Sequence, residues 1–175
     1  MDFTEDEQRL QSKQDFCEWE VQSSKVRDQY DIPRSACPWT TSGVQLHAVP
    51  RTDRLLDLLD TAWAVHRKQS PPDLTSAELA KNLWVDLATA VGRKPWSIGG
   101  PGVFRQNSMV YSFHADAVLS GAARMQLMGW PASAFPRRLQ DSNLRHMCGE
   151  CYSLPLCTLL HFCLYCNPFG QWWGQ

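Results

Sequence analysis

The sequence predicts a mostly helical α+β fold with a few short strands. Apolar residues recur at helical spacing behind recognisable capping residues along most of the chain, whereas only one stretch pairs β-branched and aromatic content with a period of two. The 175 residues, 43% hydrophobic, 20% charged and 11% aromatic, have the composition of an ordinary globular chain of about one domain. No short unit repeats, which excludes collagen, coiled coil and low-complexity polymers.

Residues 1–31 hold nine acids and four bases, and read as an acidic polar extension, helical or partly disordered. Residues 31–53 carry Pro33, Pro38, Gly43 and Pro50 among Ser and Thr, which is loop composition and sets a boundary near residue 32. From Arg54 to His66, Leu55, Leu58, Leu59, Ala62 and Trp63 make one apolar helix face behind the cap Thr52. Thr75-Ser-Ala-Glu78 is a capping box, and Leu79, Leu83, Leu87 and Val91 predict a helix that continues to Gly92. Trp96–Gly102 reads as a plain turn. Ser108–Phe113, with Met109, Tyr111 and Phe113 on one face, reads as a strand.

Ser120 caps a third helix that Gly129-Trp130-Pro131 stops. After a loop carrying Pro136, Arg137 and Arg138, Asp141 or Ser142 caps a fourth helix ending at Gly149. Ser153 and Pro155 start a fifth, apolar on nearly every side through Cys166 and therefore expected to be buried.

The net charge of −1 gives the whole chain no field toward nucleic acid or acidic membrane, so any such binding must be local. Arg124, Arg137, Arg138 and Arg145 face Asp141 alone between residues 124 and 145; a phosphate contact and a plain solvated face both fit that cluster. The acidic start has no apolar signal region, which points to a reducing, intracellular compartment and to thiols in place of disulfides. Cys148, Cys151, Cys163 and Cys166 have the spacing of two zinc knuckles. The apolar helix pattern between the pairs would hold them roughly 15 Å apart, so packed thiols fit better, with a small zinc-stabilised interaction module held by those four cysteines as the alternative. The apolar run Leu154–Cys166 is shorter than the about 20 residues a bilayer span needs, so no membrane is expected. Gly99–Gly102 lacks the flanking strand and helix of a phosphate loop, and the five histidines are scattered without a nucleophile partner.

Taken together, Leu119-Ser120, Leu127-Met-Gly-Trp-Pro131, Leu144–Gly149 and Ser153-Leu-Pro155 before an apolar helix resemble the carboxy-terminal end of DNA (cytosine-5) methyltransferases. Ser120 and Gly129-Trp-Pro131 occupy the family's cap and stop, and Gly149 through Pro155 its closing turn. The resemblance implies a partial fragment of an α/β, Rossmann-like methyltransferase architecture: a recognition-region-like segment over 32–115, the closing motif helices over 116–168 and a tail over 169–175. It also implies vestigial S-adenosylmethionine contacts at Gly149, Glu150, Ser153 and Pro155, and DNA contacts from Arg51, Arg54, Arg105, Arg137 and Arg138, in an intracellular protein with the nucleus among its compartments.

The chain departs from the family at Ala117, Ala123 and Glu150, where the pattern has Arg, Glu and Asn. No cysteine follows a proline, no Glu precedes Asn, and no Phe-x-Gly-x-Gly turn is present, so the catalytic set is none. The expectation is a fragment that transfers no methyl group alone and binds no cofactor alone, with DNA or a second chain bearing the catalytic half as its partners.

Overall fold

The computed structural model describes residues 18–150 except 106, 132 and 134–138, with the backbone alone at Glu150. Among them lie five α-helices, a short 3-10 turn and four strands: α1 over residues 18–29, α2 Asp53–Gln69, α3 Ser76–Asn82, β1 Leu83–Asp86, the turn Val91–Arg93, β2 Trp96–Ile98, β3 Val110–Ser112, β4 Ala117–Val118, α4 Gly121–Leu127 and α5 Asp141–Glu150. The fold is therefore α+β. The sheet has the order β2-β1-β3-β4 and every pairing is antiparallel. The described residues form two compact units, one reaching Val103 and including Ser108–Leu119, the other made of Phe104–Asn107 and the residues from Ser120 on. The break between them falls beyond β2 and after β4.

In the first unit the sheet presents Leu83, Val85, Leu87, Tyr111 and Phe113, all at most 1% exposed, to Leu55, Leu58, Leu59, Ala62 and Trp63 of α2. The register explains the shared face, since Val85 sits opposite both Trp96 and Tyr111, and Tyr111 opposite Val118. The rings of Trp39, Trp63 and Phe113 meet with centroids 4.6–5.6 Å apart, and Tyr111 meets Phe113 edge-on.

The helix expected from Thr75 to Val91 is corrected by the structure. Its start is as read: Thr75 Oγ1 accepts from the Glu78 backbone at 3.3 Å and the Glu78 carboxylate accepts from the Thr75 backbone at 2.8 Å. After Asn82, however, the chain straightens into β1. Leu83, Val85 and Leu87 are buried in alternation, a period of two that the four-residue spacing of the leucines hides, and Trp84 and Val85 favour strand. Likewise Trp96–Ile98, read as a turn, is a strand because β1 offers it a partner.

The acidic stretch also has a structural task. Helix α1 buries Val26 and Arg27, whose guanidinium donates to the Pro33 and Ala36 carbonyls (2.9 and 3.0 Å) and pairs with Asp57 of α2 at 2.8 Å; Ser23 donates to the same carboxylate. A cation at 2% exposure is tolerable because both of its terminal nitrogens are met in this way, although Nε is buried without a partner.

The loop-like segment 31–52 is seated by two further carboxylates. Asp60, 1% exposed on α2, accepts from the Trp39 and Thr40 backbone (2.8 and 2.9 Å) and from the Thr40 hydroxyl (2.6 Å). Asp116, held at φ 48°, accepts from the Gln45 and Leu46 backbone and from the Tyr111 hydroxyl at 2.5 Å, while that hydroxyl accepts from Trp39 Nε1 at 3.0 Å. Burial foremost, then the Asp116 carboxylate, drives the Tyr111 phenol far above its ordinary range, so it remains a donor.

Two substitutions probe this packing. Asp60→Ala strands two backbone donors and a hydroxyl in the core, and urea unfolding should show a loss of about 3 kcal/mol or more; a loss below about 1 kcal/mol would contradict the role given to this carboxylate. The second concerns His66, 5% exposed near the end of α2, where Ser70 Oγ donates to the His66 carbonyl and lies 3.3 Å from Nδ1. Burial lowers its imidazole below 6.5, with a backbone hydrogen bond at Leu79 partly opposing. The folded state then binds this proton less well than the unfolded chain, so stability is unaffected above the unfolded value and falls as pH drops from about 7 toward 5. His66→Gln should flatten that decline in denaturant titrations, and an unchanged slope would refute the assignment.

Candidate functional site

The residues singled out by sequence lie in both units. In the second, Ser120 is extended (φ −65°, ψ 159°) and its hydroxyl accepts from the Ala123 backbone at 3.1 Å, the cap expected of it. The helix also stops as expected: Gly129 takes φ 88°, a conformation that costs a Cβ-bearing residue strain, and Trp130 N–H returns to the Met125 carbonyl at 3.0 Å. Pro131 follows. Between cap and stop, Met125 and the α5 residues Leu144 and Cys148 are buried together, with Phe104, Met128 and Trp130 packed around them.

Helices α4 and α5 approach closely at Gly121. An added Cβ there would lie 2.5 Å from the Asp141 carbonyl oxygen and 2.7 Å from the Arg145 nitrogen, both backbone atoms. Asp141 uses its carboxylate twice, accepting from the Gly121 N–H at 2.6 Å and pairing with Arg145 at 2.6 Å on its own helix. No sequence motif marks Gly121, because its significance is a helix crossing formed across twenty residues of chain.

The arginine cluster is corrected in part. Arg124 is fully buried with its guanidinium 6.0 Å from the Phe104 ring centroid, and Arg145 is tied to Asp141, so neither lies on a freely solvated face. Arg137 and Arg138 lie outside the described residues. Of the other arginines named as DNA contacts, Arg51 is exposed with one donor on the Gln45 carbonyl (3.3 Å), Arg54 is half-buried and donates to the Leu87 carbonyl (3.2 Å), and Arg105 is exposed in the second unit. Within the first unit Arg51 and Arg54 flank the start of α2, where Thr52 stands at the cap position without a side-chain hydrogen bond.

Gly149 and Glu150 are corrected as turn residues: both have helical backbone in α5. Helical N–H groups point along the axis into the helix's own bonds. Ser153 and Pro155 lie outside the described residues, as does the apolar helix expected from Ser153 to Cys166. Gly99–Gly102 does follow a strand, β2, but no helix begins at Gly102, so the phosphate-loop geometry is incomplete. Cys148 is buried with its thiol 3.0 Å from the Met128 sulfur, an apolar packing position; Cys151, Cys163 and Cys166 lie outside the described residues. Among the described residues no three His, Cys, Asp or Glu side chains converge to hold a metal ion, and no helix is long and apolar enough to cross a membrane.

Comparison of the chain with protein-family models, with curated proteins and with solved structures finds no match.

Gly121→Ala should force α4 and α5 apart, because the obstructing atoms are backbone and cannot rotate away. We expect a loss of about 1–3 kcal/mol in thermal or urea unfolding, carried by Met125 and Cys148 becoming accessible. A neutral or stabilising Ala, the usual outcome at an unobstructed helical glycine, would show that the crossing is not this close.

Proposed function

We propose that the chain is a recognition-and-closing segment of the DNA (cytosine-5) methyltransferase type, which contacts duplex DNA and does not transfer methyl groups by itself. The observation that carries this reading is the form of α4: a Ser120 cap, a Gly129 stop followed by Trp130-Pro131, and a first turn seated on the next helix. Ser120 takes the cap role of the family's Thr-x-x-Glu and Gly129-Trp130-Pro131 the stop role of its Gly-Phe-Pro, while Ala123 leaves the role of the Glu unfilled. Exposed Arg51 and Arg105 are the side chains best placed to meet phosphate, since neither is enclosed in a core. Arg54 is a weaker candidate because it is half-buried, with a guanidinium nitrogen on the Leu87 carbonyl.

The absence of a Pro-Cys nucleophile removes covalent attack on a flipped cytosine, which is why inactivity is part of the proposal. In an assay with radiolabelled S-adenosylmethionine and duplex DNA the chain should incorporate no label above blank. In fluorescence anisotropy it should bind duplex DNA at low salt, with Arg51→Ala and Arg105→Ala each weakening binding regardless of sequence and lowering the salt slope by about one. Methyl transfer by the isolated chain, or no DNA binding at low salt, would refute the reading.

A further inference from the structure

Among the described residues, strand β2 lies at the edge of the sheet and pairs only with β1. Its inner side is fixed by the bonds from Asp86 N–H to the Pro95 carbonyl and from Gly99 N–H to the Asn82 carbonyl, both 2.9 Å, so residues 95, 97 and 99 face β1. Alternation then turns the N–H and C=O groups of Trp96 and Ile98 outward. The two prolines that flank the strand, Pro95 and Pro101, fall on the inward parity and remove no outward donor. The outer edge is therefore competent to pair, unlike edges that a proline or a charged side chain blocks.

The side chains have the same bias. Ile98 is 56% exposed although it shares the apolar face of Leu83 and Val85, and the strand carries no charge. We propose that this edge pairs, antiparallel and about a two-fold axis at Ser97, with β2 of a second copy of this chain. In that register Trp96 of one copy stands opposite Ile98 of the other, twice, and each pair exchanges both backbone bonds. The exposed Ile98 then rests against the half-buried Trp96 of the second copy, an aromatic to β-branched pair that the strand supplies to itself. Lys94 falls opposite Gly100, so no like charges meet. A charged peptide strand would lack this match. Three residues of edge bury far less than a permanent dimer needs, so the association is reversible and concentration-dependent.

Sedimentation velocity tests the proposal across a range from low-micromolar to sub-millimolar chain. The weight-average sedimentation coefficient of the wild-type chain should rise with concentration toward that of a dimer. Ile98→Pro removes an outward donor without touching the β1 ladder, and Ile98→Lys places a charge on the edge; both should sediment as monomer throughout while keeping the wild-type circular dichroism. If the proline variant does not fold, the lysine variant decides. A wild-type chain that stays monomeric over the whole range, or a dimer that the folded variants retain, would overturn the proposal.

Discussion

Between Asp31 and Asp53 the chain has almost no regular ladder to satisfy its backbone, yet Ile32, Trp39, Leu46 and Val49 are all buried, and what reconciles the two is a pair of aspartates. Asp60 reaches out of α2 to take the amides of Trp39 and Thr40; Asp116 reaches back from the β3–β4 turn to take those of Gln45 and Leu46. Each carboxylate replaces several strand or helix bonds with charge-assisted ones, which are stronger and tolerate irregular geometry. The arrangement also sustains strain: Leu46 and Ala48 sit at φ 54° and 58°, where side chains are disfavoured, and the surrounding bonds must outweigh that cost. Without these anchors the aromatic cluster of Trp39, Trp63 and Phe113 would lose one wall.

The second unit depends on a comparable economy. Asp141 starts α5, receives the first N–H of α4 and restrains Arg145, so one side chain fixes where two helices cross. Gly121 makes the crossing close enough for Met125, Leu144 and Cys148 to be sealed from water. Cap, crossing and stop are thus set within a short span of chain, and this constrains α4 more tightly than its seven residues of helical propensity could.

What the sequence disclosed and what it hid divide along physical lines. Thr75 with Glu78, and Ser120 with Gly129, were legible because caps and stops are local: the side chain bonds within three residues or the backbone needs a glycine where it stands. Leu79, Leu83, Leu87 and Val91 misled because a spacing of four satisfies a helix and, read with Val85, a strand, and only the presence of β3 and β2 on either side of β1 decides between them. Arg27 and Arg124 were illegible as core residues since composition places arginine on the surface, and burial depends on distant partners such as Asp57 and Phe104. Of the candidate site, only the cap and the stop of α4 were legible, as local structure. The helix end expected at Gly149 was misread, because a glycine that often ends a helix is instead carried within one.

The claim on which the rest stands is that carboxylates make the irregular segment part of the core, and amide hydrogen exchange read residue by residue tests it most directly. The Trp39, Thr40 and Leu46 amides should be protected nearly as well as those of α2 and β1, opening only with the unit as a whole. Exchange of those amides at the rate of Gly43, exposed in the same segment, would contradict it.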